Sequence, residues 1–234
     1  MGRRWKTVIW FAAVLLCVSL ISFPVQEVKD TWQSWSSPLF GKVIVIDPGH
    51  GGPDGGARGA NGTEEKDITL QLSKYLRDYL QQAGAIVYLT RDEDKDLSTE
   101  GGSLSQRKSE DIRKRMELIN DSKTDLFISL HLNAIPASQW RGAQTFYNPN
   151  QEESKKLAKS VQKEIKENLN NTKREALGLR NIYIVDHADN PGVLVEAGFL
   201  SNPDERTLLE SEDYQRKVAA SIYKGILRHE ADKE

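Results

Sequence analysis

The sequence predicts an α/β fold: a single domain with a mostly parallel twisted sheet flanked by helices. Three observations carry this expectation. Short apolar runs alternate with amphipathic stretches, the order that joins parallel strands through helical crossovers. Once an N-terminal segment is set aside, about 190 residues remain of 234, enough for one domain with a substantial core and short of two. No internal repeat or low-complexity tract interrupts the alternation.

The N-terminal segment comes first. Arg3, Arg4 and Lys6 precede an apolar run of about 17 residues, Thr7 to Phe23. A basic flank before such a run reads as an export signal, and the run is near the lower limit for a membrane-spanning helix. No small-x-small cleavage site follows it. Residues 1–24 are therefore expected to be either a signal peptide or a membrane anchor, with the domain outside the cytoplasm. Leu16 before Cys17 argues against a lipoprotein cysteine. Residues 25–40, with Trp32, Trp35 and Pro38, read as a linker, and residues 41–230 as the catalytic domain.

Within that domain, Lys42 to Asp47 is a nearly continuous apolar run, the pattern of a strand buried on both faces. From Glu65 to Gln82, Ile68, Leu72, Tyr75, Leu76 and Tyr79 make one helical stripe, and Gly84 stops the helix. Ile86 to Thr90 is a second strand, followed by an acidic, glycine-bearing loop from Asp92 to Gly102. Ser105 to Asn120 carries Ile112, Met116 and Ile119 on one helical face. Asp125 to Leu130 and Gly142 to Tyr147 read as strands. Glu152 to Leu169 is an amphipathic helix through Leu157, Val161 and Ile165. Asn181 to Val185 and Gly192 to Glu196 read as short strands. Asp204 to His229 reads as mostly helical, with Leu208, Val218, Ile222 and Ile226 inward.

The formal net charge of -2 gives no bulk attraction to nucleic acid. Cys17 is the only cysteine and lies in the apolar run, so the domain has neither a disulfide nor thiolate ligands. A transition metal held here would use histidine and carboxylate.

In parallel sheets, sites form beyond the carboxyl ends of the strands. Three predicted strands run into Asp47-Pro48-Gly49-His50-Gly51-Gly52, Ser129-Leu130-His131-Leu132-Asn133-Ala134 and Val195-Glu196-Ala197-Gly198. Two histidines and a carboxylate are thereby delivered to one sheet edge. Glu64 and Glu65 stand at the start of the first helix, and spacing does not separate them. His187 reads as a surface-loop residue and His229 as an exposed residue near a helix C-terminus, which leaves His50 and His131 as the nitrogen donors. Catalytic zinc takes three protein ligands, leaves a position for water, and lowers that water's pKa toward about 7. A carboxylate outside the ligand set then carries the proton, and Glu196 suits that role. Glycines around His50 permit a tight loop. They do not make a phosphate cradle, since no Lys-Ser/Thr pair closes the glycine loop and G-x-G-x-x-G does not occur. Asn133 either supports the site or holds its loop. Arg115 either meets a substrate carboxylate or forms a salt bridge within the fold.

These segments, in this order with Gly62-Thr63-Glu64-Glu65-Lys66 and Glu196-Ala197-Gly198-Phe199-Leu200-Ser201-Asn202, resemble the zinc N-acetylmuramoyl-L-alanine amidase family (the Amidase_3 type). Thr90-Arg91 and Arg115 match its pattern too, and the resemblance covers about Lys42 to Leu227. It implies Zn2+ held by His50, Glu65 and His131, since the family's ligand glutamate precedes a lysine, as Glu65 precedes Lys66. It also implies Glu196 as the catalytic residue. Stretches 129–136, 142–147 and 219–228 resemble the germination-specific branch of the family. That branch implies peptidoglycan of the spore cortex as substrate, a peptidoglycan deacetylase as functional partner in muramic-δ-lactam formation, and room for an activating lipoprotein. The implied location is the outer face of a membrane or the cell wall, in the forespore intermembrane space. The alternatives are another zinc amidohydrolase, such as a sugar deacetylase, and a non-catalytic wall-binding protein.

Overall fold

The computed structural model describes Gly2, Trp5 and residues 8–18, 37–99, 101–121 and 123–233. The chain divides into two units, Met1–Ser37 and Pro38–Glu234. In the first, residues 8–18 are helical. Among the described residues no helix is long and apolar enough to cross a membrane. Arg3, Arg4, Lys6, the end of the apolar run and linker residues 25–36, with Trp32 and Trp35, lie outside the described residues, whereas Pro38 to Phe40 belong to the second unit and Leu39 is buried in its core.

The second unit runs β1 (Val43–Pro48), α1 (Glu65–Gln82), β2 (Ile86–Leu89), α2 (Leu104–Ile119), β3 (Leu126–Asn133), β4 (Gln144–Tyr147), α3 (Glu152–Leu169), β5 (Leu177–Gly178), α4 (Tyr183–His187), β6 (Gly192–Phe199), α5 (Pro203–Leu209) and α6 (Glu212–Ala231). The six strands form one sheet in the order β2-β1-β3-β6-β4-β5. β2, β1, β3 and β6 are parallel, and β4 joins antiparallel to β6. This is the mostly parallel α/β sheet that the alternating pattern predicts.

Strand periodicity sends alternate residues to opposite faces. Ile44, Ile46, Leu126, Ile128, Leu130, Val193 and Val195 face one side. There they meet the apolar stripes of α1 (Leu72, Leu76), α3 (Leu157, Val161) and α6 (Val218, Ile222). α3 and α6 approach so closely that a Cβ on Gly225 would lie 2.4 Å from the Val161 Cα. Val45 and Phe127 face the other side, under Met116 and Ile119 of α2 and Ile184 of α4. This second layer is thin, and it leaves the carboxyl ends of β1, β3 and β6 accessible.

Several elements differ from expectation. β3 and β6 each run three residues past their predicted ends, so His131 stands inside a strand rather than after it and Glu196 in mid-strand rather than at its end. Residues 181–185 do not form a strand. Asn181 adopts φ 74°, its N–H donates to Asp186, and Tyr183–His187 makes a helical turn that buries the adjacent Ile184 and Val185. The C-terminal helix is two helices, α5 and α6, broken at Glu210 and Ser211. The break changes which face is inward, so Leu209 is buried and Leu208 is exposed.

Candidate metal centre

The loop after β1 sets the first histidine. His50 has φ 62°, a left-handed conformation that costs a non-glycine residue energy and needs support from its surroundings. Two buried guanidiniums supply it. Arg115 donates to the Pro48 carbonyl at 2.6 Å and the His50 carbonyl at 2.6 Å. Arg91 donates to the carbonyls of Pro48 at 3.1 Å and Gly49 at 3.0 Å. Asp47, fully buried, answers Arg115 at 2.8 Å and accepts from Thr90 and Ser129. Burial alone would raise the Asp47 pKa, but the charge of Arg115 and the two hydroxyl bonds lower it to about 2. Arg115 thus forms the internal salt bridge, and its contacts lie beneath the site.

The second and third donors come from α1 and β3. Glu65, almost fully buried, places Oε2 3.2 Å from His50 Nε2 and Oε1 3.0 Å from His131 Nδ1. Its oxygens also accept from Ala57 N at 2.7 Å and Leu132 N at 2.8 Å, which fixes the carboxylate plane. One donor atom from each of His50, Glu65 and His131 lies within 4.8 Å of the others. Glu64 turns outward to Lys66 and Arg58. The two glutamates, inseparable by spacing, are therefore separated by burial.

Glycines line this cluster where side chains would collide. A Cβ on Gly49 would lie 2.4 Å from His131 Cε1, and one on Gly56 2.5 Å from Glu65 Oε2. Behind His50, Nδ1 meets Asp54 Oδ2 at 2.9 Å, and Lys108 holds the other Asp54 oxygen at 2.7 Å. This leaves Nε2 directed at the cluster. Burial would lower the His50 pKa, but the bond and charge of Glu65, then those of Asp54, raise it to about 8. Burial would raise Glu65, but the two imidazoles hold it well below the usual carboxylate range.

Two imidazoles and one carboxylate make a donor set that suits zinc. The carboxylate behind His50 is the kind of outer partner that orients a ligating imidazole.

Glu196 completes the group. On the parallel β3–β6 pair its register partner is His131, so the two side chains share a face. Glu196 Oε2 is buried and has no hydrogen-bond partner among the described residues. Burial raises its pKa to about 7, the charge of His131 opposing and that of Glu65 assisting. A cleft of about 260 Å³ opens over His50 and His131, lined also by Asp54, Lys108, Arg115 and Ile184.

Other sequence candidates lie elsewhere. His187 is exposed and stacks on Tyr183 with 4.4 Å between centroids. His229 is buried at 4% exposure, contrary to expectation, where α6 packs closely on α3, with Glu153 and Glu230 beside it. Asn133 ends β3, where its carbonyl accepts from Leu200 N at 2.8 Å, a contact that holds the loop. Asp54 and Lys108 were not legible as site residues. The available signal for Asp54 was a carboxylate four residues after His50, in a turn without periodicity.

With this geometry in place, comparison with known proteins is direct. A family model described as N-acetylmuramoyl-L-alanine amidase matches residues 44–228. The germination-specific N-acetylmuramoyl-L-alanine amidase of Bacillus subtilis (strain 168) is 48% identical over 234 residues, covering 100% of this chain and 98% of that protein. The CwlD amidase of Clostridioides difficile, solved in complex with the GerS lipoprotein, superposes with a TM-score of 0.80 at 39% identity, covering 82% of this chain and 99% of that one. The catalytic domain of CwlV, an N-acetylmuramoyl-L-alanine amidase from Bacillus (Paenibacillus) polymyxa var. colistinus, gives a TM-score of 0.71 at 30% identity over 82% of this chain and 99% of that chain.

Proposed function

This chain belongs to the N-acetylmuramoyl-L-alanine amidase family, and from that premise we propose that His50, Glu65 and His131 hold a zinc ion while Glu196 carries the proton in hydrolysis of peptidoglycan. The scissile bond joins the lactyl carbonyl of muramic acid to the nitrogen of L-alanine. When bound, zinc supplies Lewis acidity, polarising that carbonyl and acidifying water. Glu65 contributes the negative charge of the ligand set, and Asp54 with Lys108 keeps the His50 imidazole aimed. Glu196, ionised, accepts a proton from the attacking water and then delivers it to the departing L-alanine nitrogen. In the metal-free protein burial raises this carboxyl group toward about 7, which favours its return of the proton as well as its uptake.

The observation that carries this reading is the Glu196 carboxyl, with an unpartnered buried oxygen, beside His131 in register. A carboxylate so placed and left unsatisfied has a stability cost that a proton-transfer role explains.

The likeness to the germination-specific amidase of Bacillus subtilis supports spore cortex as the substrate, with release of the peptide preparing muramic acid for a partner deacetylase and δ-lactam closure. The complex of CwlD with GerS supports a lipoprotein partner for this chain. In this reading residues 1–24 export or anchor the protein, 25–40 link, and 41–230 catalyse at the outer face of a membrane, in the forespore intermembrane space.

Mass spectrometry of spore peptidoglycan digested with zinc present separates this function from its nearest rival. Free stem peptide with an L-alanine amino terminus is expected. Release of acetate alone would assign the protein as a deacetylase instead.

A further inference from the structure

The row of side chains that begins at the metal centre continues past Glu196. Glu196 pairs with His131 on one side and, through the antiparallel β4, with Gln144 on the other. Directly opposed residues share a face, so His131, Glu196 and Gln144 lie side by side across three strands. Gln144 Oε1 accepts from Arg174 Nη1 at 2.9 Å, and its Nε2 donates to the Glu175 carbonyl at 3.0 Å. The Arg174 backbone is pinned from α3, where Gln162 donates to its carbonyl at 3.0 Å. Its guanidinium carbon lies 5.7 Å from the Trp140 ring and 5.2 Å from that of Phe199. Trp140 is 49% exposed, an indole held at the surface beside a cation. Among the described residues, Nη1 is the one Arg174 side-chain nitrogen with a hydrogen-bond partner.

We propose that Arg174, positioned by Gln144 and Trp140, is a subsite for a carboxylate of the stem peptide, the leaving side of the substrate. The assignment rests on the amidase reading above and adds a specificity determinant to it. The substrate's own charges select the occupant. Muramic acid's carboxyl group is consumed in the scissile amide, so an unmodified glycan side is neutral and the negative charge lies on the peptide. The peptide advances about 3.5 Å per residue. Run from the metal centre across β6 toward β4, where neighbouring strands lie roughly 5 Å apart, an extended peptide would bring the residue after L-alanine toward Gln144. A guanidinium with free N–H donors, stacked between aromatic rings, is suited to a carboxylate there.

A competing role for Arg174 is to balance Glu205, which is buried nearby. Glu205 already accepts from the Gly142 and Phe199 amides at 2.9 Å each.

Two muramoyl-peptide substrates that differ only in that carboxylate, free acid against primary amide, decide between these roles. The zinc-loaded full chain should prefer the acid by about tenfold or more in kcat/KM, through KM. Arg174→Gln should erase the preference by bringing kcat/KM on the acid down to that on the amide, and Arg174→Lys should restore part of it. Equal turnover of both substrates by the natural chain, or equal loss on both in Arg174→Gln, would overturn the subsite. If the natural chain releases peptide from neither, the amidase reading fails and takes the subsite with it. Should Arg174→Gln not fold, calorimetry of the released peptide on the natural chain decides instead. The acid should then bind at least tenfold more tightly than the amide, and equal binding of the two would overturn the subsite.

Discussion

On the face covered by α1, α3 and α6, the sheet presents Ile44, Ile46, Leu126, Ile128, Val193 and Val195 to a continuous apolar layer. On the opposite face, Val45 and Phe127 pack under α2 and α4, and then the chemistry changes within one strand. Asp47 follows Val45 two residues on, Ser129 and His131 follow Phe127, and Glu196 follows Leu194. The first face is held by area removed from water, which is non-directional and tolerates exchange among apolar shapes. The second is held by buried charges and hydrogen bonds that tolerate little change, because groups such as Asp47 and Glu65 are satisfied by several specific partners at once. The difference shows where this fold can vary and where it cannot: the thick face supports the sheet, and the thin face places the reacting groups.

Breaking the charged face should have the largest effect. Arg115→Met leaves Asp47 fully buried without its cation, and removing one member of a buried pair costs about 3–5 kcal/mol. The same change releases the Pro48 and His50 carbonyls, so zinc should be lost together with stability. Denaturant unfolding and metal analysis of one preparation check this, and a variant that keeps both would refute the clamp on the His50 loop.

Breaking the apolar face should separate the two properties. Ile222→Ala opens a cavity under α6 at a cost of about 2–5 kcal/mol. Zinc content and turnover per folded molecule should stay near those of the natural chain below the new melting transition. Loss of zinc in that variant would mean that the two faces are not independent.

A smaller effect follows from pH. In the zinc-free protein the His50 pKa is raised to about 8 from 6.5. A histidine raised in the folded state contributes stability below pH 6.5 that is lost as pH rises through 8. Glu196, raised to about 7 from 4.5, gives a decline in the same direction over the lower range, so pH 7 to 8 isolates His50. Zinc must displace the His50 proton. The gain in melting temperature on adding zinc should therefore grow between pH 7 and 8. A gain that is flat across that interval would show that His50 does not bind the metal.

The sequence made the regular parts of this fold readable, and the reasons are local. Glu65–Gln82 has the predicted bounds because its stripe and the stop at Gly84 coincide, and Glu152–Leu169 because its stripe runs out where Asn170 turns left-handed. The end of β3 was misplaced because His131 and Asn133 are polar and polarity reads as loop, and that of β6 because Gly198 reads as a break. The burial of His229 comes from the packing of α6 on α3, a helix that begins 77 positions earlier, which no helical periodicity encodes. The same holds for Gln144, which lies beside Glu196 only through the antiparallel pairing of β4 with β6. Asp54 lay in plain view beside His50, but the turn that aims it at Nδ1 is set by backbone angles at Gly51 and Gly52 rather than by residue spacing.

The central claim is that three residues hold the metal and a fourth moves the proton. Glu196→Gln tests that division most directly, with zinc content and stem-peptide release measured on the same sample. The account predicts zinc equal to that of the natural chain and release slower by about 10²- to 10⁴-fold. Release at the natural rate, or loss of the metal along with the activity, would contradict it.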